Sequence, residues 1–145
     1  MLRFVYALLL LLLLTATAAA AQTPTPIGIW QDATNRIMVE IAPCDSRLCG
    51  KIVWFKWPND DLGLPLVDIN NPDPALRLRP LLGLTILTNL RQTGESTWGD
   101  GRIYYPDDGE FYHARMSIQE NGTLRVRIYA LFPLFGETQI WTRVR

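Results

Sequence analysis

Apolar and polar side chains alternate along most of the chain after residue 27. In RIMVEIA (36–42) and TLRVRIYA (123–130), every second residue is a large aliphatic one, and most of the residues between them are polar or charged. A period of two residues is what an antiparallel strand with one buried face requires. No stretch beyond residue 27 shows a convincing helical period. The sequence therefore predicts an all-β protein.

Turn signals separate the alternating runs. YPDDGE (105–110) joins two of them through a Pro-Asp-Asp-Gly turn, and ENGT (120–123) carries Asn-Gly, the strongest short hairpin signal. Consecutive hairpins need no long crossover, so we predict one eight-stranded antiparallel up-and-down β-barrel over residues 27–145 rather than a sandwich. The strands are expected near residues 28–32, 36–42, 50–57, 82–91, 97–105, 110–118, 123–131 and 136–144.

The first 21 residues have the features of a cleavable signal peptide. Arg3 precedes an apolar run over residues 4–14, and small residues follow as far as Ala21. That run is too short to span a bilayer, which takes about 20 residues. We expect cleavage near Ala21, a flexible leader over residues 22–26, and a periplasmic or secreted bacterial protein without a membrane span.

The charge balance excludes one class of partner. The chain has 14 basic and 14 acidic residues, and loss of the signal peptide removes one basic residue, Arg3. The exported chain is then slightly acidic overall and lacks the basic excess of a nucleic-acid-binding domain. We therefore expect no nucleic-acid partner.

Cys44 and Cys49 are the only cysteines. In an oxidising compartment two nearby cysteines usually pair, and closing so short a loop stabilises the fold by about 2 kcal/mol. A metal site would need further ligands, and His113 is the only histidine. We predict a structural disulfide, with a redox pair and a metal site as the alternatives.

No group of residues in the sequence supplies a nucleophile, a base and an orienting side chain together. His113 falls on the more polar face of its strand and should face solvent, and Asp107 and Asp108 occupy a turn. DINNPD (68–73) lacks the glycine and glutamate of a calcium loop. We therefore expect no catalytic residues, no cofactor and no enzymatic activity.

One connection, residues 58–80, is long and contains five prolines. Such loops are uncommon in small domains and are often functional. Within it, Arg77 and Arg79 alternate with leucines, so both guanidinium groups could project to one side and bind a carboxylate or phosphate head group. The alternative is that they pair with Asp68 or Asp73, or face water.

The apolar faces of the predicted strands should line the barrel interior. An eight-stranded barrel either fills that space with its own side chains or holds one small ligand. If it holds a ligand, the candidate contact residues are Ile52, Trp54, Leu84, Ile86, Met116, Val126 and Ile128.

Four blocks of sequence, spread over residues 48–144, resemble a known family. The blocks LCGKIVWF, NNPDPALRLRPLLGLTIL, GRIYYPDDGEFY and LFGETQIWTRV are similar to those of an exported bacterial family of unknown function, DUF2147. The resemblance implies a calycin-type barrel similar to lipocalins and no established activity. It also implies that Gly28, Trp30 and Arg143 close the barrel, with the guanidinium stacked on the indole for about 0.5–2 kcal/mol.

Two functional hypotheses follow from these observations. The first is a non-enzymatic periplasmic lipocalin-like protein that binds a small, largely apolar or amphipathic ligand. The alternative is a cell-envelope interaction or structural protein with a filled barrel, which an exposed apolar patch beside the long loop would favour.

Overall fold

A computed structural model describes residues 22–145; the expected signal peptide lies outside the described residues. Eight β-strands and one short 3-10 helix make up the regular structure. They are β1 (Gly28–Gln31), β2 (Ile37–Cys44), β3 (Arg47–Phe55), the 3-10 helix (Pro74–Leu76), β4 (Thr85–Gly94), β5 (Thr97–Tyr105), β6 (Glu110–Ile118), β7 (Leu124–Tyr129) and β8 (Gly136–Arg143).

The strands form a closed ring in chain order. Each strand pairs antiparallel with the next, and β1 closes on β8 through the pairs Trp30 with Arg143 and Gln31 with Thr142. The predicted eight-stranded up-and-down barrel is confirmed. β3 begins three residues earlier than expected, because Asp45 takes a positive φ of 53° and allows Cys44 to pair directly with Arg47.

Antiparallel order brings alternate connections to the same end of the barrel. We call one end the base; it carries the Cys44–Cys49 hairpin and both ends of the described chain. The other end, which we call the open end, carries the connections at residues 32–36, 56–84, 106–109 and 130–135.

Inward-facing apolar side chains fill much of the interior. The buried apolar side chains come from all eight strands, so all sides of the barrel contribute to one core. They include Trp30, Val39, Ile41, Ile52, Leu87, Leu90, Leu124, Val126 and Trp141. Removing this apolar surface from water supplies most of the driving force for closing the ring.

The predicted disulfide is confirmed. Cys44 and Cys49 are bonded, with their Cα atoms 5.5 Å apart, across the β2–β3 hairpin at the base.

The barrel closes through Trp30 and Arg143, as the resemblance implied. The Arg143 guanidinium carbon lies 4.2 Å from the centroid of the Trp30 ring. Gly28 beside them has a φ of +139°, and a Cβ there would collide with the carbonyl oxygen of Arg145. Any larger residue at position 28 would therefore push the start of β1 away from Arg145.

The same pair holds the segment that precedes β1. Arg143 donates from Nη1 to the carbonyl of Ile27 (2.9 Å) and from Nη2 to that of Thr25 (2.5 Å). Trp30 Nε1 donates to the carbonyl of Pro26 (2.7 Å), and Pro26 is buried. Closure of the barrel thus supplies hydrogen-bond partners for Thr25 and Pro26, the last residues of the expected leader.

Candidate ligand-binding site

A cavity of about 400 Å³ lies at the open end of the barrel. This volume falls within the range of small-molecule sites, roughly 300–1,000 Å³. Its apolar part includes Ile37, Ile52, Phe55, Trp57, Leu66, Leu81, Ile86, Ile103 and Trp141, and its polar part includes Asp32, Arg36, Asp60, Asp61, Tyr105, Asp107 and Gln139.

The predicted interior residues divide between the cavity and the filled core. Ile52 and Ile86 line the cavity. Met116, Val126 and Ile128 are buried in the filled core, and Leu84 is half-buried against it. Within residues 22–145 the cavity lining includes none of these last four. The barrel is therefore filled over part of its length and hollow at one end. It combines the two predicted alternatives, an interior filled by side chains and an interior with room for a small ligand.

The inward orientation expected for Trp54 is wrong. Met38 pairs with Trp54 and Val39 pairs with Ile52, so Val53 is an extra residue without a partner on β2. This β-bulge shifts the alternation by one residue. Trp54 therefore faces outward with 40% of its surface exposed, and Phe55 lines the cavity in its place.

The long connection between β3 and β4 forms one wall of the cavity. Isolated bridges pair Asn59 with Pro65 and Val67 with Pro80, so the segment folds back on itself. The segment contributes Trp57, Leu66 and Leu81 to the lining, and a hydrogen bond from the Leu81 amide to the Leu66 carbonyl (3.0 Å) joins the last two.

A buried carboxylate anchors this connection to the barrel. Asp68 is fully buried and accepts hydrogen bonds from Tyr104 Oη (2.7 Å), Asn71 Nδ2 (2.8 Å) and Arg79 Nε (2.8 Å). Arg79 Nη2 also lies 2.8 Å from the Asp68 carboxylate, so two guanidinium nitrogens take part in the ion pair. Burial raises the pKa of Asp68, but the three hydrogen bonds and the charge of Arg79 outweigh it and lower the pKa overall.

The two arginines of the connection have structural partners. Arg79 forms the ion pair with Asp68, which is the alternative to head-group binding that the sequence left open. Arg77 is exposed and donates from Nε to the carbonyl of Asn71 (2.8 Å). Neither arginine is among the residues that line the cavity. The arrangement gives no support to a shared acidic head group at these positions.

A second anchor ties the connection to the β5–β6 turn. Asn70 Nδ2 donates to the carbonyls of Pro106 (3.0 Å) and Asp107 (3.1 Å). Gly109 has a φ of +73°, and a Cβ there would collide with the carbonyl oxygen of Asn70. Asp108 accepts from the amide of Glu110 (2.9 Å), which is the turn role that the sequence predicted for it.

A row of polar side chains on one side of the mouth is internally hydrogen-bonded. Gln139 Nε2 donates to Glu137 Oε1 (2.6 Å) and to the Tyr105 hydroxyl (3.0 Å), and its Oε1 accepts from Trp141 Nε1 (2.8 Å). Burial, followed by the nearby Glu137 carboxylate, raises the pKa of Tyr105, so this hydroxyl stays neutral.

The rim of the cavity is acidic. Asp32, Asp60, Asp61 and Asp107 line it, and Arg36 is the basic residue among the lining residues. Asp32 accepts from the amides of Arg36 (2.9 Å) and Ile37 (3.0 Å). Burial raises the pKa of Asp32, but hydrogen bonds to backbone amides and to Thr34 outweigh it and lower the pKa, so its carboxylate is charged.

Sequence reasoning missed several lining residues. Gln139 and Trp141 alternate within β8, so the period of two could have found them. Leu66 and Leu81 lie in the long connection, where no period predicts orientation. The aspartates of the rim come from three separate connections, and only the closed ring brings them together.

His113 lies on the outer surface, as the alternation predicted. Its ring stacks on Tyr129 with centroids 5.2 Å apart. In the described part of the chain, no three His, Cys, Asp or Glu side chains are placed to hold a metal ion. Across residues 22–145, no helix reaches the length and apolarity needed to cross a membrane.

A closed up-and-down barrel of eight strands with a cavity at one mouth defines a lipocalin-like protein. The chain belongs to the family described as uncharacterised proteins conserved in bacteria (DUF2147), whose model matches residues 28–143. The predicted resemblance is thereby confirmed.

A solved structure supports the same class. The chain is similar to protein HP1028 from the human pathogen Helicobacter pylori, described as belonging to the lipocalin family. The TM-score is 0.72 with 25% sequence identity, covering 86% of this chain and 84% of that one. Comparison with curated proteins gives no significant match.

Proposed function

We propose that the protein is a non-enzymatic, lipocalin-like binder that takes one small, largely apolar molecule into the cavity at the open end. The observation that carries this proposal is the cavity itself: about 400 Å³, with an apolar lining from several strands. Such a pocket gains affinity by removing apolar surface of the ligand from water.

The charges at the rim of the cavity restrict which polar groups the ligand can carry. Four aspartates and one arginine line the mouth, so its field is negative. A carboxylate held there would be repelled, whereas a hydroxyl, amide or ammonium group would find acceptors. We therefore propose a ligand with an apolar body and a neutral or cationic polar end. This replaces the acidic head group considered for Arg77 and Arg79.

We also propose that the protein acts after export, in the periplasm or outside the cell. The signal-peptide pattern of residues 1–21 and the Cys44–Cys49 disulfide both support this location, because disulfides persist in oxidising compartments.

One observation favours the envelope-interaction alternative. Large apolar side chains of the long connection are more than half exposed, namely Trp57, Leu62, Leu64, Ile69, Leu78 and Leu82. Exposed apolar side chains of this number in one segment often mark a contact surface. This role does not need an occupied cavity.

The test uses three amphiphiles with the same alkyl chain, which end in an amine, an alcohol or a carboxylate. Each competes with a hydrophobic fluorophore for the purified protein. We expect the amine and the alcohol to displace the fluorophore at lower concentration than the carboxylate. Native mass spectrometry of protein purified without detergent then shows whether a cellular molecule is already bound.

Adjacent aromatic residues provide a matched pair of variants. Phe55→Ala enlarges the cavity and removes an apolar contact, whereas Trp54→Ala removes an aromatic ring from the outer face one residue away. We expect weaker binding only in Phe55→Ala. Equal effects of the two substitutions, or no fluorophore uptake by the wild type, would overturn the binding role and favour the envelope-interaction alternative.

A further inference from the structure

A cluster of arginines occupies the outer surface of β6 and β7, away from the cavity. Arg115 and Arg127 are directly opposite each other in the β6–β7 register, and Arg125 follows opposite Ser117. All three line a groove of about 600 Å³ on the outer face. Like charges placed directly opposite on neighbouring strands destabilise a sheet. The arrangement therefore carries a cost that binding of an anion would relieve.

Among residues 22–145, no carboxylate lies within ion-pair distance of these three arginines. The acidic residue that lines the same groove, Asp100, is held by Arg91 through Nε (2.8 Å) and Nη2 (2.6 Å). Arg115 lies over the Tyr129 ring, 5.6 Å from its centroid. Because the Tyr129 ring is neutral and Asp100 is already paired with Arg91, the positive charges of the three groove arginines are not neutralised.

An apolar loop adjoins the arginines. The β7–β8 connection includes LFPLF (131–135), which contains no charge, and its four large apolar side chains are 63 to 80% exposed. Arg127 fixes this loop against the groove by donating to the carbonyls of Pro133 (2.8 Å) and Leu134 (2.9 Å). One surface therefore combines exposed apolar side chains with uncompensated arginines.

We propose that this surface, Arg115, Arg125, Arg127 and the loop 131–135, docks the protein on an anionic phospholipid membrane. The apolar side chains enter the region between head groups and acyl chains, and the guanidinium groups bind lipid phosphates. The acidic rim of the cavity disfavours an approach with the mouth facing the lipid. The loop 131–135 belongs to the open end, but neither it nor the three arginines are among the residues that line the cavity, so docking through this side of the barrel keeps the aspartates of the rim away from the anionic surface.

The test is sedimentation of the purified protein with two kinds of vesicle, phosphatidylcholine alone and phosphatidylcholine mixed with phosphatidylglycerol. We expect binding to the mixed vesicles, weakened by salt. The double variant Arg115→Gln/Arg125→Gln should bind roughly 25-fold more weakly, since each arginine near an anionic surface strengthens binding about fivefold. Arg127 is left in place because it holds the loop.

Two further variants separate charge, apolar insertion and folding. Lys51→Gln/Lys56→Gln removes the same charge from exposed positions near β3 and should bind like the wild type. Phe132→Ser/Phe135→Ser keeps every arginine and should lose binding while retaining the wild-type melting temperature.

Three results would overturn the proposal. The first is wild-type protein that ignores phosphatidylglycerol vesicles. The second is equal loss of binding in the Arg115→Gln/Arg125→Gln and Lys51→Gln/Lys56→Gln variants, which would reflect net charge alone. The third is binding to soluble polyphosphate without binding to vesicles, which would assign the arginines to a dissolved anion.

Discussion

The base and the open end of this barrel are stabilised by different interactions. The base has a disulfide and a tryptophan stacked on an arginine, and it carries a surface groove of about 430 Å³ between residues 23–27 and the β2–β3 hairpin. The open end has a cavity, and its longest connection is held by a buried ion pair and side-chain amide hydrogen bonds. Buried apolar side chains pack the barrel interior beneath the cavity, so the hollow end must be held open by interactions around its rim.

This division has a consequence for how perturbations act. Damage at the base should lower the free energy of unfolding of the whole barrel, because ring closure depends on it. Damage at the open end should also alter the cavity, because the long connection supplies Leu66 and Leu81 to its lining. The four predictions below test this contrast.

The largest effect is expected at the base, from Trp30→Ala. Trp30 is fully buried, and truncating a buried aromatic side chain costs about 3–5 kcal/mol. The substitution also removes the stacking partner of Arg143 and the hydrogen bond to Pro26. Urea unfolding should show a loss near or above the upper end of that range. If the variant does not fold, Trp30→Phe provides a milder measure of the same site. A loss below 1 kcal/mol would contradict the closure role.

Asp68→Asn should have the next largest effect, at the open end. It leaves Arg79, which is one-third exposed, without its carboxylate. Breaking a buried ion pair costs about 3–5 kcal/mol of folding stability. Because water still solvates part of the Arg79 guanidinium, we expect a smaller loss in the free energy of unfolding, about 2–3 kcal/mol. Hydrogen exchange should increase along residues 56–84, and fluorophore binding in the cavity should weaken.

Asp73→Asn is the control for this substitution. Asp73 lies in the same connection, is exposed, and caps the short 3-10 helix by accepting from the Ala75 amide at 2.9 Å. Asp73→Asn removes the same charge as Asp68→Asn, and it should change the free energy of unfolding by only about a few tenths of a kcal/mol. Unchanged exchange over residues 56–84 in Asp68→Asn would show that the ion pair does not hold the connection.

Removing the disulfide should have a smaller effect, about 2 kcal/mol, with Cys44→Ser/Cys49→Ser or with reductant. The bond closes a short hairpin at the base, so the melting temperature should fall while cavity binding stays unchanged. Thiol titration of native protein should detect no free cysteine. Loss of binding in step with loss of the bond would mean that the two ends are coupled.

The architecture was predictable from sequence because it depends on local rules. Alternation predicted the strands, turn chemistry predicted the hairpins, and the spacing of two cysteines in a chain expected to be exported predicted the disulfide. The resemblance supplied the closure pair of Trp30 and Arg143. Apart from the closure pair, each of these features rests on residues near in sequence or on a pattern repeated along the whole chain.

The site was only partly predictable, for two physical reasons. A single extra residue, Val53, exchanged the orientations of Trp54 and Phe55, and two adjacent aromatic residues give no sign of which one faces inward. The partner of Arg79 could not be chosen either. Buried Asp68 accepts a hydrogen bond from Tyr104, which lies far along the chain on β5, and no local pattern predicts that contact.

The smallest effect expected is a change in how stability depends on pH. The pKa of Asp68 is lowered in the folded protein, so the unfolded chain takes up its proton first as pH falls. The stabilisation from Asp68 is therefore complete above its unfolded pKa, about 3.9, and is lost as pH falls through the folded value. The free energy of unfolding of the wild type should fall more steeply below about pH 4 than that of Asp68→Asn.

Asp32 also has a lowered pKa, so Asp68→Asn should reduce this acid dependence without abolishing it. The contrast between the two ends predicts the order of events in acid. The cavity wall should open first, seen as loss of fluorophore binding and faster exchange over residues 56–84. The disulfide cysteines do not titrate, so the base should keep its protection. Simultaneous loss of protection at both ends would show that the barrel unfolds as a single cooperative unit and that the open end has no separate acid transition.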